Sequence, residues 1–136
     1  MDTALPYLLL FDPEENARAG KPGTKPADID TLQEQRLVCA RCRHAITRED
    51  ERIAVHGGHE HTRTNPHNLT FHIGCFRRAD GCKTFGPASL EYTWFAGYAW
   101  SIALCGNCQT HLGWRFTSTL DSFYGLVLRE LISAGV

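Results

Sequence analysis

An excess of charge of either sign is absent from this sequence. Fourteen Lys and Arg residues stand against fifteen Asp and Glu, a formal net charge of -1 over 136 residues. A general electrostatic grip on nucleic acid or on anionic lipid needs a clear basic excess, so neither partner is expected. Long apolar runs are missing too: nothing approaches the roughly 20 residues that span a bilayer. The short run over residues 7–11 has no basic residue ahead of it, no cleavage-site pattern after it, and is followed by Asp12, Glu14 and Glu15. It does not read as a signal peptide. A reducing, cytoplasmic compartment is therefore expected, where six cysteines argue for metal ligands over disulfides. With 43% hydrophobic and 21% charged residues, a disordered chain or a fibre is excluded.

What is present divides the chain near Leu37. Residues 12–36 are rich in Pro, Gly and charge and can bury little, so residues 1–36 read as a flexible N-terminal leader, with a helical turn or two over 28–36. The folded unit is expected over residues 37–136. Short apolar runs broken by Gly, Pro, Asn and Asp, at 52–56, 70–76, 98–104 and 114–118, predict antiparallel strands. The segment 123–132 fits either a helical face or a buried strand, and is read as a strand entering a final turn.

Cys39-Ala-Arg-Cys42 and Cys105-Gly-Asn-Cys108 carry the strongest chemical signal. Two residues between cysteines let one tight turn aim both sulfurs at a single ion, and two such turns complete a tetrahedral thiolate site. The expected metal is zinc in a structural role, because four protein ligands leave no open position for catalysis. Gly106 fits such a turn, through close backbone approach or positive φ. His44 and His111 lie near enough in sequence to replace one thiolate. Cys75 and Cys82 lack ligand spacing and read as small core residues.

All three tryptophans, Trp94, Trp100 and Trp114, flank the second turn, accompanied by Tyr92, Phe95, Tyr98 and Phe116. Such a cluster reads either as the core of a small β domain or as a rigid box that takes a cation or a flat neutral ring. In their order and spacing, these residues, both cysteine pairs, Asn65-Pro66-His67 and the segment 123–126 resemble the thalidomide-binding domain family of cereblon, the CULT family. The resemblance covers residues 37–132. It implies a mainly β fold, a β-tent of two antiparallel sheets pinned by a four-cysteine zinc site. It also implies a cage walled by Trp94, Trp100 and Trp114 and closed by Phe116, with Asn65 and Pro66 on a flexible loop over the ligand. Backbone groups of Tyr92 and Trp94 would then meet the polar edge of a cyclic imide, whether a glutarimide of the thalidomide type, a uracil or uridine-like ring, or a cyclised residue at a protein C-terminus. The family often has histidine where Tyr92 stands and proline where Ala96 stands. A monomeric, single-domain, bacterial-type member is implied, with no ubiquitin-ligase adaptor and no catalysis.

Two other functions fit parts of the pattern. A methionine sulfoxide reductase of the B type also uses paired Cys-x-x-Cys zinc turns, and would need Cys75 or Cys82 as a nucleophile. A cage for methylated cations would need an acid at its rim, for which Glu91 is the candidate. The histidines at 56, 59, 61, 67 and 72 crowd one Gly-containing stretch and read as a solvated, pH-sensitive loop.

Overall fold

The computed structural model describes residues 35–134. The expected leader over residues 1–36 lies outside the described residues apart from its last two, and Arg36 already belongs to the first strand. The strands are β1 Arg36–Cys39, β2 Ala45–Arg48, β3 Glu60–Thr64, β4 Thr70–Phe76, β5 Cys82–Ser89, β6 Ala99–Cys105, β7 His111–Thr117, β8 Ser122–Val127 and β9 Leu131–Ser133. Single 3-10 turns occupy Glu49–Glu51 and Leu128–Glu130. All pairings are antiparallel, in a three-stranded sheet ordered β2-β1-β9 and a six-stranded sheet ordered β3-β4-β8-β7-β6-β5. This is the expected mainly β architecture of two antiparallel sheets.

The run 70–76 forms β4, and the runs at 98–104 and 114–118 fall within or beside β6 and β7. The segment 123–132 leaves β8 at Val127, makes a 3-10 turn and enters β9. The strand expected at 52–56 does not form. Val55 and Gly58 exchange N–H···O bonds of 2.8 and 3.2 Å and close a turn over His56 and Gly57, both at positive φ (51° and 89°). The chain reverses there, and only isolated bridges, Arg52 to Phe76 and Val55 to Gly58, remain. Conversely β3 and β5 form from polar or Gly-Pro-interrupted sequence, because each is an edge strand with one neighbour and little to bury.

Two apolar clusters fill the interior. Leu37, Ile46, Phe76, Leu112, Leu126 and Leu128 pack where the sheets meet, around Cys39 and Cys105. Phe71, Ile73, Cys75, Phe95, Trp114, Phe116, Phe123 and Val127 form the second cluster, on the six-stranded sheet. Register explains the latter: Trp114 pairs with Gly125 and Ile102, Phe116 with Phe123 and Trp100, and paired residues share a face. A Cβ at Gly125 would stand 3.0 Å from the Phe116 ring, so glycine there is what admits that ring.

The histidine stretch is not a solvated loop. His56 and His67 are exposed, but His61 lies on β3 with its ring edge on Phe95 (5.2 Å), and His72 on β4 bonds Glu60 at 2.8 Å. His59 packs edge-on against Phe76 at 5.2 Å, its Nδ1 3.2 Å from the Ile53 carbonyl and its Nε2 buried without a partner. Burial holds both His59 and His61 below the ordinary histidine value.

Candidate functional site

The two cysteine turns are built alike. In the first, Cys39 N–H donates to the His44 carbonyl (2.9 Å), Arg43 N–H returns to the Cys39 carbonyl (2.8 Å), and Arg43 has φ 67°. In the second, Cys105 N–H donates to Thr110 (2.8 Å), Gln109 N–H to Cys105 (2.9 Å), and Gln109 has φ 66°. Positive φ therefore falls on Arg43 and Gln109, not on Gly106. Gly106 is needed for approach to the turn that precedes β5: its N–H donates to the Gly81 carbonyl at 2.8 Å, and a Cβ there would stand 2.8 Å from that oxygen.

The first turn ends β1 of the small sheet, and the second joins β6 to β7 of the large one. They meet: Cys39 Sγ lies 3.7 Å from Cys108 Sγ, Cys42 Sγ 3.6 Å from Cys105 Sγ, and all four sulfurs fall within 4.8 Å of one another. A tetrahedral ion with sulfur at about 2.3 Å sets sulfurs about 3.8 Å apart. Backbone N–H groups of Arg41, Asn107 and Cys108 point at sulfur from 3.3 to 3.4 Å, as suits thiolate acceptors. Burial pushes Cys39 up to about 12, while the Thr110 hydroxyl and N–H draw Cys108 down to about 6. A divalent cation bound here would hold its ligands as thiolates. Donor set and spacing fit a metal ion. His44 and His111 do not belong to the cluster. The His111 ring instead lies edge-on to Trp114 at 4.9 Å, its Nε2 2.9 Å from the Gly113 carbonyl.

Beyond β6 and β7 from these sulfurs, Tyr92, Trp94, Trp100, Trp114 and Phe116 line a hollow of about 190 Å³, open solvent included. Trp114 and Phe116 come from β7 and are 2% and 1% exposed, so they are floor. Trp100, on β6, and Trp94, in the β5–β6 connection, are half-buried walls. Trp94 meets Trp114 edge-on at 4.8 Å, backed by Phe71 on β4. Both wall indoles are held by their N–H groups: Trp100 Nε1 donates to the Glu91 carbonyl (2.8 Å), Trp94 Nε1 to the Thr64 carbonyl (3.3 Å). Tyr92, at φ 59° and 64% exposed, forms the lip. Among the described residues, no hydrogen bond takes up the N–H or C=O of Tyr92 or Trp94.

Asn65 and Pro66 do not line this hollow. Asn65 is 4% exposed, its Oδ1 accepts the N–H groups of His67 and Leu69 (both 2.9 Å), and its Nδ2 is buried without a partner. It stiffens the turn between β3 and β4 that begins next to Thr64, whose carbonyl anchors Trp94. Nothing in the composition of Thr64-Asn65-Pro66 signals that anchor, which arises only when β3 and the 90s turn come together. Cys75 is fully buried and Cys82 half-buried, and burial pushes both thiols up to about 12. No helix among the described residues is long and apolar enough to cross a membrane.

No family model matches the chain. Among known proteins it is similar to protein cereblon of Gallus gallus, 33% identical over an alignment 103 residues long, with 71% of this chain and 23% of that protein covered. It is similar also to protein cereblon of Danio rerio, 30% identical over an alignment of the same length, with 71% of this chain and 24% of that protein covered. With that of Xenopus tropicalis the identity is 35% over 72 residues, 49% of this chain and 16% of that protein. The match covers about a quarter of the length of the first two relatives and falls in their C-terminal part. Two antiparallel sheets joined at a four-cysteine cluster, together with this similarity, identify the chain as carrying a cereblon-like domain of the CULT family.

Proposed function

We propose that this domain is a binding module whose aromatic hollow takes a neutral cyclic imide or uracil-like ring, and whose four cysteines hold a structural zinc. The hollow lined by Tyr92, Trp94, Trp100, Trp114 and Phe116 carries the reading. An imide has an apolar CH₂ side suited to indole faces, and a polar edge of C=O, N–H and C=O. The peptide groups of Tyr92 and Trp94, not engaged by other described residues, supply matching donors and acceptors. The ring would enter past Tyr92 and rest on Trp114 and Phe116. Partners in keeping with this are free imides, uridine-like molecules and protein C-termini ending in a cyclised residue, bound by a cytoplasmic monomer without catalysis.

Four cysteine sulfurs within 4.8 Å of one another, a set of soft ligands with no open position, support zinc. Held there by Cys39, Cys42, Cys105 and Cys108, it would join the two sheets. The reductase alternative is disfavoured because Cys75 is buried, Cys82 is half-buried, and both thiols are pushed towards the protonated form. A methyl-cation cage is disfavoured because no carboxylate lines the hollow: Glu91 contributes its carbonyl to Trp100.

Titration of the full chain with glutarimide, followed by tryptophan fluorescence, tests the reading. Binding in the micromolar range is expected, lost when the imide nitrogen is methylated, since the donor to the backbone is replaced by a clash. A ligand indifferent to N-methylation, or tighter binding of a quaternary ammonium ion, would overturn it.

A further inference from the structure

Three of the four exposed large hydrophobic residues among those described lie on β5 and the turn that follows it: Phe85 (65% exposed), Leu90 (64%) and Tyr92 (64%). Tyr92 is itself the lip. Leu90 sits two residues before it, its carbonyl accepting the Thr93 N–H at 3.3 Å, so the two belong to one tight turn. Phe85 pairs with Ile102 on β6, and Ile102 with Trp114 on β7, so Phe85, Ile102 and the floor residue Trp114 form one row on the same face. An apolar track thus runs in register from the floor to the edge strand at Phe85, and two more apolar residues, Leu90 and Tyr92, stand on the turn that follows that strand. Exposed apolar surface grouped in this way marks an interaction site.

We infer that this track receives the residue preceding the ring in a polypeptide whose C-terminal residue has closed to a cyclic imide, and that it selects an apolar side chain there. The inference rests on the proposed imide reading of the hollow. The floor of the hollow is closed by the buried Trp114 and Phe116 and its most exposed lining residue is Tyr92, so in this reading anything attached to the ring leaves on the Tyr92 side. One extended residue adds about 3.5 Å of reach beyond the ring, towards the turn that carries both Tyr92 and Leu90. A second copy of the chain is a poorer occupant. Pairing along the β5 edge is interrupted between Phe85 and Ser89 by Gly86 at φ 84° and Pro87, and Lys83 is exposed on the same strand. The face is therefore suited to side-chain contact and not to an added strand.

The test uses the full chain, bare glutarimide, and short peptides ending in an aminoglutarimide ring with Phe, Leu or Asp before it. The Phe and Leu peptides are expected to bind at least about five-fold tighter than the Asp peptide, the scale of partial burial of one apolar side chain. Phe85→Ser and Leu90→Ser together should shrink that gap to within about two-fold while bare glutarimide binds as before, since neither residue lines the hollow. Equal affinity for the three peptides, with bare glutarimide bound, would overturn the inference and leave the imide reading standing. Failure of bare glutarimide to bind would overturn both. Sedimentation velocity supplies the other outcome: a dimer of the native chain dissolved by Phe85→Ser would assign the track to self-association and overturn the inference.

Discussion

Trp114 and Trp100 line one hollow but differ in what else they do. Trp114 is 2% exposed and touches Phe71, Trp94 and His111, so Trp114→Ala empties the core as well as the floor and is expected to cost about 3–5 kcal/mol. Trp100 is half-buried and fixed by its bond to Glu91. Trp100→Ala should weaken imide binding by about 1–3 kcal/mol, taking stacking on an aromatic face as the guide. Thermal melts and fluorescence titrations of both variants check this: Trp114→Ala lowers the melting temperature more, while Trp100→Ala acts chiefly on affinity. The sequence marked all three tryptophans by their clustering but could not sort floor from wall. That depends on Phe71 and Phe123, which arrive from β4 and β8. Asn65 was visible as a site candidate, yet its carbonyl oxygen is spent on the His67 and Leu69 N–H groups, a local turn geometry open to any Asn followed by Pro.

At the scale of single elements, the two cysteine turns repeat one hydrogen-bond pattern on sequences that share only the cysteines. Each places a non-glycine residue at positive φ, Arg43 or Gln109, at the fourth position after the first cysteine. Left-handed backbone costs an L residue about 1–2 kcal/mol, partly offset for glycine by its greater unfolded freedom. Gln109→Gly is therefore expected to be neutral or to stabilise by up to about 1 kcal/mol in urea unfolding. Gly106→Ala should destabilise by about 1–3 kcal/mol, because the new methyl displaces the Gly81 carbonyl and orphans its bond. If Gly106→Ala left the urea midpoint unchanged, the contact between the second turn and the Gly81 carbonyl would have no part in stability.

For the molecule as a whole, the cysteine cluster joins two sheets that otherwise share one apolar cluster. Structural zinc contributes an apparent 10–16 kcal/mol in small peptides, roughly the whole stability of a domain this size. Strong chelation or Cys39→Ser is expected to abolish the near-UV circular dichroism of the folded protein, and native signal in the metal-free chain would contradict a structural metal. Acid acts through a second group. His59 is held below its ordinary value of 6.5, first by burial and further by the Arg52 guanidinium, against opposing pulls from its hydrogen bond to the Ile53 carbonyl and, more weakly, from Glu60. The unfolded chain then binds a proton that the folded chain refuses, so this contribution is complete above 6.5 and is lost as pH falls below it. Urea midpoints should decline more steeply below pH 6.5 in the native protein than in His59→Leu, and parallel declines would remove His59 from the account.

The sequence alone determined what is closed locally. Each Cys-x-x-Cys turn is closed by hydrogen bonds within six residues, so the four candidate metal ligands could be named from spacing, and β4, with Phe71, Ile73 and Cys75 alternating along it, could be named as a strand. Tertiary structure decided what depends on distant neighbours. Polar β3 and interrupted β5 became strands because β4 and β6 offered them an edge, and 52–56 turned because Val55 and Gly58 could bond each other. His59 lost its solvent to Phe76, and Phe85 joined the face of Trp114 through the β5–β6–β7 register. Local hydrogen bonding is written in a few adjacent residues, whereas burial and the sharing of a face are set by whichever strands pack alongside.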